Sequence, residues 1–184
     1  MAAHSIAIQL ASLTFMVPLG IGQAAAVRVG RALGRRDREA IRRAGWTALG
    51  LATAFMAAMS LIMVVAPSLL ISAFLNTKDR DNAAVVGRAS SFLMLAASFQ
   101  IADGAQTVGA GMLRGLHDAR MPMFFALTGY WAIGLPLGAS LAFPMGMGGI
   151  GIWFGLATGL ATVAALMIRR WHDREALGLL WPGP

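Results

Sequence analysis

Residues 121–168 carry no formally charged side chain. A helix needs about 20 apolar residues to cross the hydrocarbon of a bilayer, so this run is too long for one such helix and long enough for two. The segment Pro144-Met145-Gly146-Met147-Gly148-Gly149 divides it, because proline and clustered glycine mark a turn. Two spans result, 122–143 and 150–168. The same reading upstream yields 2–27, closed by Arg28 and Arg31; 44–66, ending before Pro67; and 89–113, interrupted by a single acid, Asp103. Of the 184 residues 58% are hydrophobic and 12% charged, with a mean hydropathy of +0.68. A soluble domain of this size cannot hide that much apolar surface in one core. The sequence predicts an all-α integral membrane protein of five transmembrane helices, solvated by lipid.

The net charge of +7 and pI near 11.6 raise nucleic acid as a partner, but the distribution excludes it. The basic residues sit in short gaps between apolar runs and form no stripe interleaved with stacking aromatics. Arg28, Arg31, Arg35, Arg36, Arg38, Arg42 and Arg43 separate spans one and two; Arg114 and Arg120 separate three and four; Arg169, Arg170 and Arg174 follow span five. The opposite side holds Lys78, Arg80 and Arg88, partly offset by Asp79 and Asp81. The positive-inside rule puts the larger group in the cytoplasm. The prediction is a multi-pass protein of a plasma membrane (the inner membrane of a bacterium), with the N-terminus outside and the C-terminus inside. The first span has no basic residue before it and a dense cluster after it, the reverse of a signal peptide. The chain is therefore expected to be part of a longer polytopic protein, the alternative being a complete five-span protein with an unusual start. Trp46 and Trp171 fall at the predicted cytoplasmic boundary and Trp153 at the outer one, as an aromatic belt would place them; Trp131 falls mid-span.

Chemistry is confined to few residues. The absence of cysteine excludes disulfides and thiol catalysis. Residues 146–151 match a dinucleotide fingerprint in letters only, since they follow a membrane helix where the motif needs a strand, and no phosphate-binding Walker sequence occurs. His4, His117 and His172 show no ligand spacing, and His117 with Asp118 is expected to be solvated in a turn. No nucleophile–base constellation occurs, so the reading is neither an enzyme nor a cofactor protein. Asp103 is the informative residue. A carboxylate at mid-bilayer costs about 2.5 kcal/mol or more and is tolerated where it faces a bundle interior or a wet cavity. At helical spacing Ala96, Gln100, Asp103, Thr107 and Ala110 share a face, flanked by Phe99 and Gln106. That pattern predicts a cavity wall, with helix–helix hydrogen bonding as the structural alternative. Ser5, Gln9, Ser12, Met16 and Gln23 form a second polar stripe in span one, where Pro18 predicts a kink. Thr128, Tyr130 and Trp131 lie at depth in span four, before Pro136. Aromatics there suit flat or cationic organic molecules or simple core packing. Gly151, Gly155 and Gly159 form a close-packing face for another helix.

Three stretches resemble the multidrug and toxic compound extrusion (MATE) transporters. One is Ala3-His4-Ser5-Ile6-Ala7, continuing through Phe15-Met16-Val17-Pro18-Leu19 to Arg28-Val29-Gly30-Arg31-Ala32-Leu33-Gly34. The second is Phe99-Gln100-Ile101-Ala102-Asp103 with Gly111-Met112-Leu113-Arg114-Gly115-Leu116-His117-Asp118. The third is Tyr130-Trp131-Ala132-Ile133-Gly134-Leu135-Pro136-Leu137-Gly138. The resemblance implies twelve helices in two six-helix lobes, exporting drugs against sodium ions or protons. This chain then looks like helices eight to twelve, most of the C-terminal lobe, with the N-terminal lobe and helix seven absent. The family's intramembrane acid on helix ten matches Asp103, which makes Asp103 the expected cation-coupling residue and a sodium ligand if sodium is the ion; its acidic partner would precede Met1. Gln100, Gln106, Thr107, Gln9, Ser12, Tyr130 and Trp131 are the expected cavity lining. A lipid-linked oligosaccharide flippase of the related superfamily should line its cavity with basic residues for pyrophosphate. Here the membrane interior holds one acid and no Lys or Arg, which favours a small, cationic organic cargo. The remaining alternative is a non-transporting remnant or assembly module.

Overall fold

The computed structural model describes residues 2–72 and 83–181, leaving out the side chains of residues 2–4, 6, 7, 83, 84 and 88. Lys78, Asp79, Arg80 and Asp81 therefore lie outside the described residues, as do the side chains of His4 and Arg88. Every regular element among the described residues is helical: α1 (Ala2–Gly34), α2 (Arg38–Val65), the short α3 (Pro67–Ile71), α4 (Ala83–Gly115), α5 (Arg120–Ala142) and α6 (Gly149–His172). Five of them, all but α3, are long and apolar enough to cross a membrane. Leu61 and Val65 are 62% and 73% exposed. In water such surfaces would aggregate; against lipid tails they need no cover.

The helices overrun the charge-delimited spans at their basic ends. Charge marks where hydrocarbon stops, but a helix stops only where its last carbonyls find other donors. Behind α1, Asp37 N–H donates to Ala32 C=O and Arg36 N–H to Leu33 C=O, with Arg36 at φ 55°. Behind α4, Asp118 N–H donates to Leu113 C=O and His117 N–H to Arg114 C=O, with His117 at φ 62°. Both are Schellman caps, formed at two matching sequences, Gly30-Arg31-Ala32-Leu33-Gly34-Arg35-Arg36-Asp37 and Gly111-Met112-Leu113-Arg114-Gly115-Leu116-His117-Asp118. The closing acids then differ in use. Asp37 caps α2 by accepting from the Ala40 N–H at 2.9 Å. Asp118 accepts from the Arg170 guanidinium at 2.5 Å, with both side chains largely buried, so the expectation of a merely solvated His117–Asp118 turn holds for exposed His117 and fails for Asp118.

Helix α4 occupies the middle, packed on α1, α2 and α6, while α5 lies along α6. One apolar cluster joins Val29, Ile41, Leu49, Val108, Met112, Val163, Met167 and Trp171; a second joins Leu10, Met63, Ile71, Leu93, Ala96 and Ala97. Trp171, expected in the interfacial belt, is wholly buried. Its ring fills the space a side chain would take at Gly45, where a methyl would lie 2.1 Å from Trp171 Cζ2. The buried Arg174 guanidinium lies 4.8 Å over the same ring, and burial holds it below the usual arginine range. Trp153, expected at the outer belt, stacks its ring on Phe99 of α4 at 5.5 Å.

Helix α1 runs on through Pro18 without a break. Helix α5 departs from regularity, because Thr128–Gly134 is π-helical. Pro136 supplies no N–H and its ring crowds the carbonyl four residues back; the preceding turn widens, and the Leu135 N–H reaches Tyr130 C=O. At the turn into α6, Gly146 and Gly148 adopt φ of 70° and 56°, which explains glycine at these positions.

Candidate functional site

The two apolar clusters leave a polar layer between them at Gln100–Gln106 of α4. Asp103 is half-buried there and opens on a cleft of about 290 Å³ shared with Ile8, Ala11, Ser12, Phe15 and Met16 of α1. It is the sole charged residue between Arg88 and Arg114, so the helix carries its charge at depth. Gln106, one turn on, donates from Nε2 to Asp103 Oδ1 at 3.5 Å, and its amide oxygen accepts from the Tyr130 hydroxyl at 2.9 Å. A polar chain thus runs from α5 to the carboxylate on α4. The Asp103 oxygens keep acceptor capacity beyond that one long bond.

The expected wall residues separate. Gln100 does not line the cleft: it is 1% exposed and donates to Thr14 Oγ1 at 2.6 Å, while the Thr14 hydroxyl donates to Ala11 C=O. An unpaired amide is costly away from water, so this side chain is an interhelical link. Thr14 lies off the polar stripe of span one, so no helical pattern in the sequence singles it out. Ser12 and Met16 are on the cleft, whereas Gln9 and Gln23 are exposed and outside its lining. Thr107 is half-buried, and a methyl at Gly22 would lie 3.1 Å from its carbonyl oxygen. The grouping of Thr128, Tyr130 and Trp131 breaks at the π turn. Tyr130 faces Gln106, exposed Thr128 donates back to Phe124 C=O, and Trp131 is 69% exposed, so core packing does not describe it. Trp131 and Tyr130 instead border an apolar groove of about 350 Å³ with Leu135, Phe143, Ile152 and Leu156.

Among the described residues no group of three His, Cys, Asp or Glu side chains gathers as a metal cage. Asp103 is a lone carboxylate beside a hydroxyl-bearing α1 face, able to hold a proton or contribute one anionic ligand to a cation. Gly151, Gly155 and Gly159 face α5: a methyl at Gly155 would lie 2.4 Å from the Gly138 backbone, and one at Gly159 would lie 2.7 Å from Gly129 C=O.

A family model described as MatE matches residues 1–140. A probable multidrug resistance protein NorM of Brucella suis is 62% identical over 176 residues, 96% of this chain and 37% of that protein. The protein of the same description from Mesorhizobium japonicum is 56% identical over 177 residues, covering 96% and 38%. The crystal structure of the eukaryotic MATE transporter AtDTX14 matches with a TM-score of 0.80 at 22% identity, over 97% of this chain and 40% of that one. The chain thus spans a little over a third of the length of the curated relatives it matches.

Proposed function

This chain belongs to the MatE family, and we propose from that premise that it forms most of one lobe of a longer secondary transporter that exports small organic, mainly cationic compounds against sodium ions or protons. The observation that carries the reading is Asp103, a lone carboxylate deep among apolar helices, open to the α1 cleft and tied to α5 through Gln106 and Tyr130. A carboxylate is tolerated at that depth where it pairs or faces a wet cavity, and a cation entering the cleft supplies the missing charge. Alternating access then follows if loading Asp103 favours one arrangement of two lobes and the cargo the other. Each charge moved across the potential is worth about 2.3 kcal/mol per 100 mV. The absence of Lys and Arg from the spans 2–27, 44–66, 89–113, 122–143 and 150–168 favours cationic cargo over the pyrophosphate of a flippase.

The test is Asp103→Asn in the full-length protein that contains this chain. The amide keeps the shape and hydrogen-bonding capacity but cannot titrate or carry charge. Dye efflux from cells at matched expression, driven by an imposed sodium or proton gradient, should be abolished while the protein still folds; full gradient-driven efflux by the variant would overturn the assignment. The orientation in this proposal keeps Arg28–Arg43 in the cytoplasm. Single cysteines at Arg36 and Asn82, in a background without other exposed cysteines, test it: an impermeant thiol reagent should label position 82 and not 36.

A further inference from the structure

Arg28 and Arg31 lie one turn apart near the end of α1, Arg35 follows in the turn behind it, and Arg43 faces them from the antiparallel α2. Together with Ala32, Ala40, Ala44 and Thr47 they line a hollow of about 380 Å³. Among the described residues no carboxylate lies within ion-pair reach of Arg28, Arg31 or Arg35. The neighbouring acids are committed elsewhere. Asp37 caps α2, and Glu39 takes two hydrogen bonds from Arg42 at 2.9 and 3.0 Å, reaching Arg43 only at 3.8 Å. Four guanidinium groups thus line one hollow, three of them without a carboxylate partner and Arg43 with only the shared Glu39, so the hollow carries a net positive charge that attracts an anion. Guanidinium forks match phosphate oxygens in geometry and charge.

The level of the hollow selects the source of that phosphate. Arg28 is the first charge after the uncharged run of α1, and Arg43 the last before that of α2. Running antiparallel, the two helices bring these limits to one height, where polar headgroups meet hydrocarbon. Trp46, three residues after Arg43 on α2, is 39% exposed, as an interfacial ring is. Ala44 and Thr47, also in the lining, begin the uncharged run of α2, where Leu51 is 59% exposed, so an occupant can keep its phosphate among the arginines and its tails in the bilayer. We propose that this hollow is a binding site for the phosphodiester headgroup of an acidic phospholipid, distinct from the Asp103 cleft.

The test uses the full-length protein in detergent, titrated with phosphatidylglycerol or phosphatidylcholine and read by native mass spectrometry. The wild type should retain phosphatidylglycerol preferentially. Arg28→Gln with Arg31→Gln should lower that retention roughly thirty-fold, two arginines' worth of attraction to acidic headgroups, while Arg28→Lys with Arg31→Lys should restore most of it. Should the double glutamine variant fail to fold, the single exchanges Arg28→Gln, Arg31→Gln and Arg35→Gln decide, each expected to cost about fivefold. Equal retention of the two lipids, or glutamine variants that hold phosphatidylglycerol like the wild type, would overturn the proposal. Displacement of the lipid by millimolar inorganic phosphate would also overturn it, by showing a site for soluble anions.

Discussion

The Asp103 cleft and the α5–α6 seam lie in the same apolar slab and are built by opposite means. At the seam the backbones meet directly: Gly159 faces Gly129, Gly155 faces Gly134 and Gly138, and Gly151 faces Leu141 and Ala142, and a methyl on any of these three α6 glycines would lie under 3 Å from α5. At the cleft a hollow opens between α1 and α4, and the Gln100–Thr14 hydrogen bond spans the two helices beside it, although the same pair meets backbone to backbone further along, at Gly22 and Gly111. Lipid removes the hydrophobic drive between helices, leaving close packing and interhelical hydrogen bonds. The molecule uses the first where two helices are to stay together and the second where a carboxylate is to stay reachable. Tyr130 joins the two regions, since it rides on α5 and bonds to Gln106 beside Asp103.

That contrast breaks most easily at Gly155. Gly155→Leu in the full-length protein should dislodge α5 from α6, at a cost of about 3 kcal/mol or more from overpacking. Size-exclusion chromatography after mild heating should show loss of the monodisperse protein; a stable, active variant would mean the seam is not under close-packing constraint. Gln100→Leu probes the polar side. It removes the buried Gln100–Thr14 bond and should cost about 1 to 2 kcal/mol in thermal stability, yet leave dye efflux near wild type because Gln100 does not line the cleft. A selective loss of efflux at unchanged stability would return Gln100 to the site. Tyr130→Phe sharpens the link between the regions. It should cost about 0.6 kcal/mol in stability and lower efflux roughly threefold, the same free energy, by freeing the Gln106 amide to turn from Asp103. Trp131→Ala, one residue along the π turn, should alter stability by less than about 0.5 kcal/mol, as exposed positions do. A larger loss on thermal unfolding in detergent would show that the indole is packed in the whole protein.

The five membrane helices were legible because the uncharged length of a segment is a local property that needs no partner. Asp103 was legible for a related reason: one acid inside an apolar run stands out whatever surrounds it. Less survived of the lining. A helical stripe tells which side chains share a face, but Gln100 and Asp103 share theirs and meet different surroundings, one sealed by Thr14 and the other opened by Ser12 and Met16. Trp171 shows the same limit. Its place after an apolar run suits an interfacial ring, and only the absence of a side chain at Gly45, far off in sequence, makes room for it in the core.

The sequence by itself determined that this chain is a bundle of membrane-crossing helices, how many there are, and that one carboxylate is carried among them, because desolvation acts on each segment alone. Tertiary structure decided which polar groups are sealed and which are reachable, where Tyr130 and Trp131 part company, and how four arginines from two helices come to surround one hollow. Those outcomes depend on helix rotation and separation, which are set by backbone contacts at Gly22–Gly111 and along the α5–α6 seam. Contacts of that kind join residues too distant in sequence for any local pattern to record.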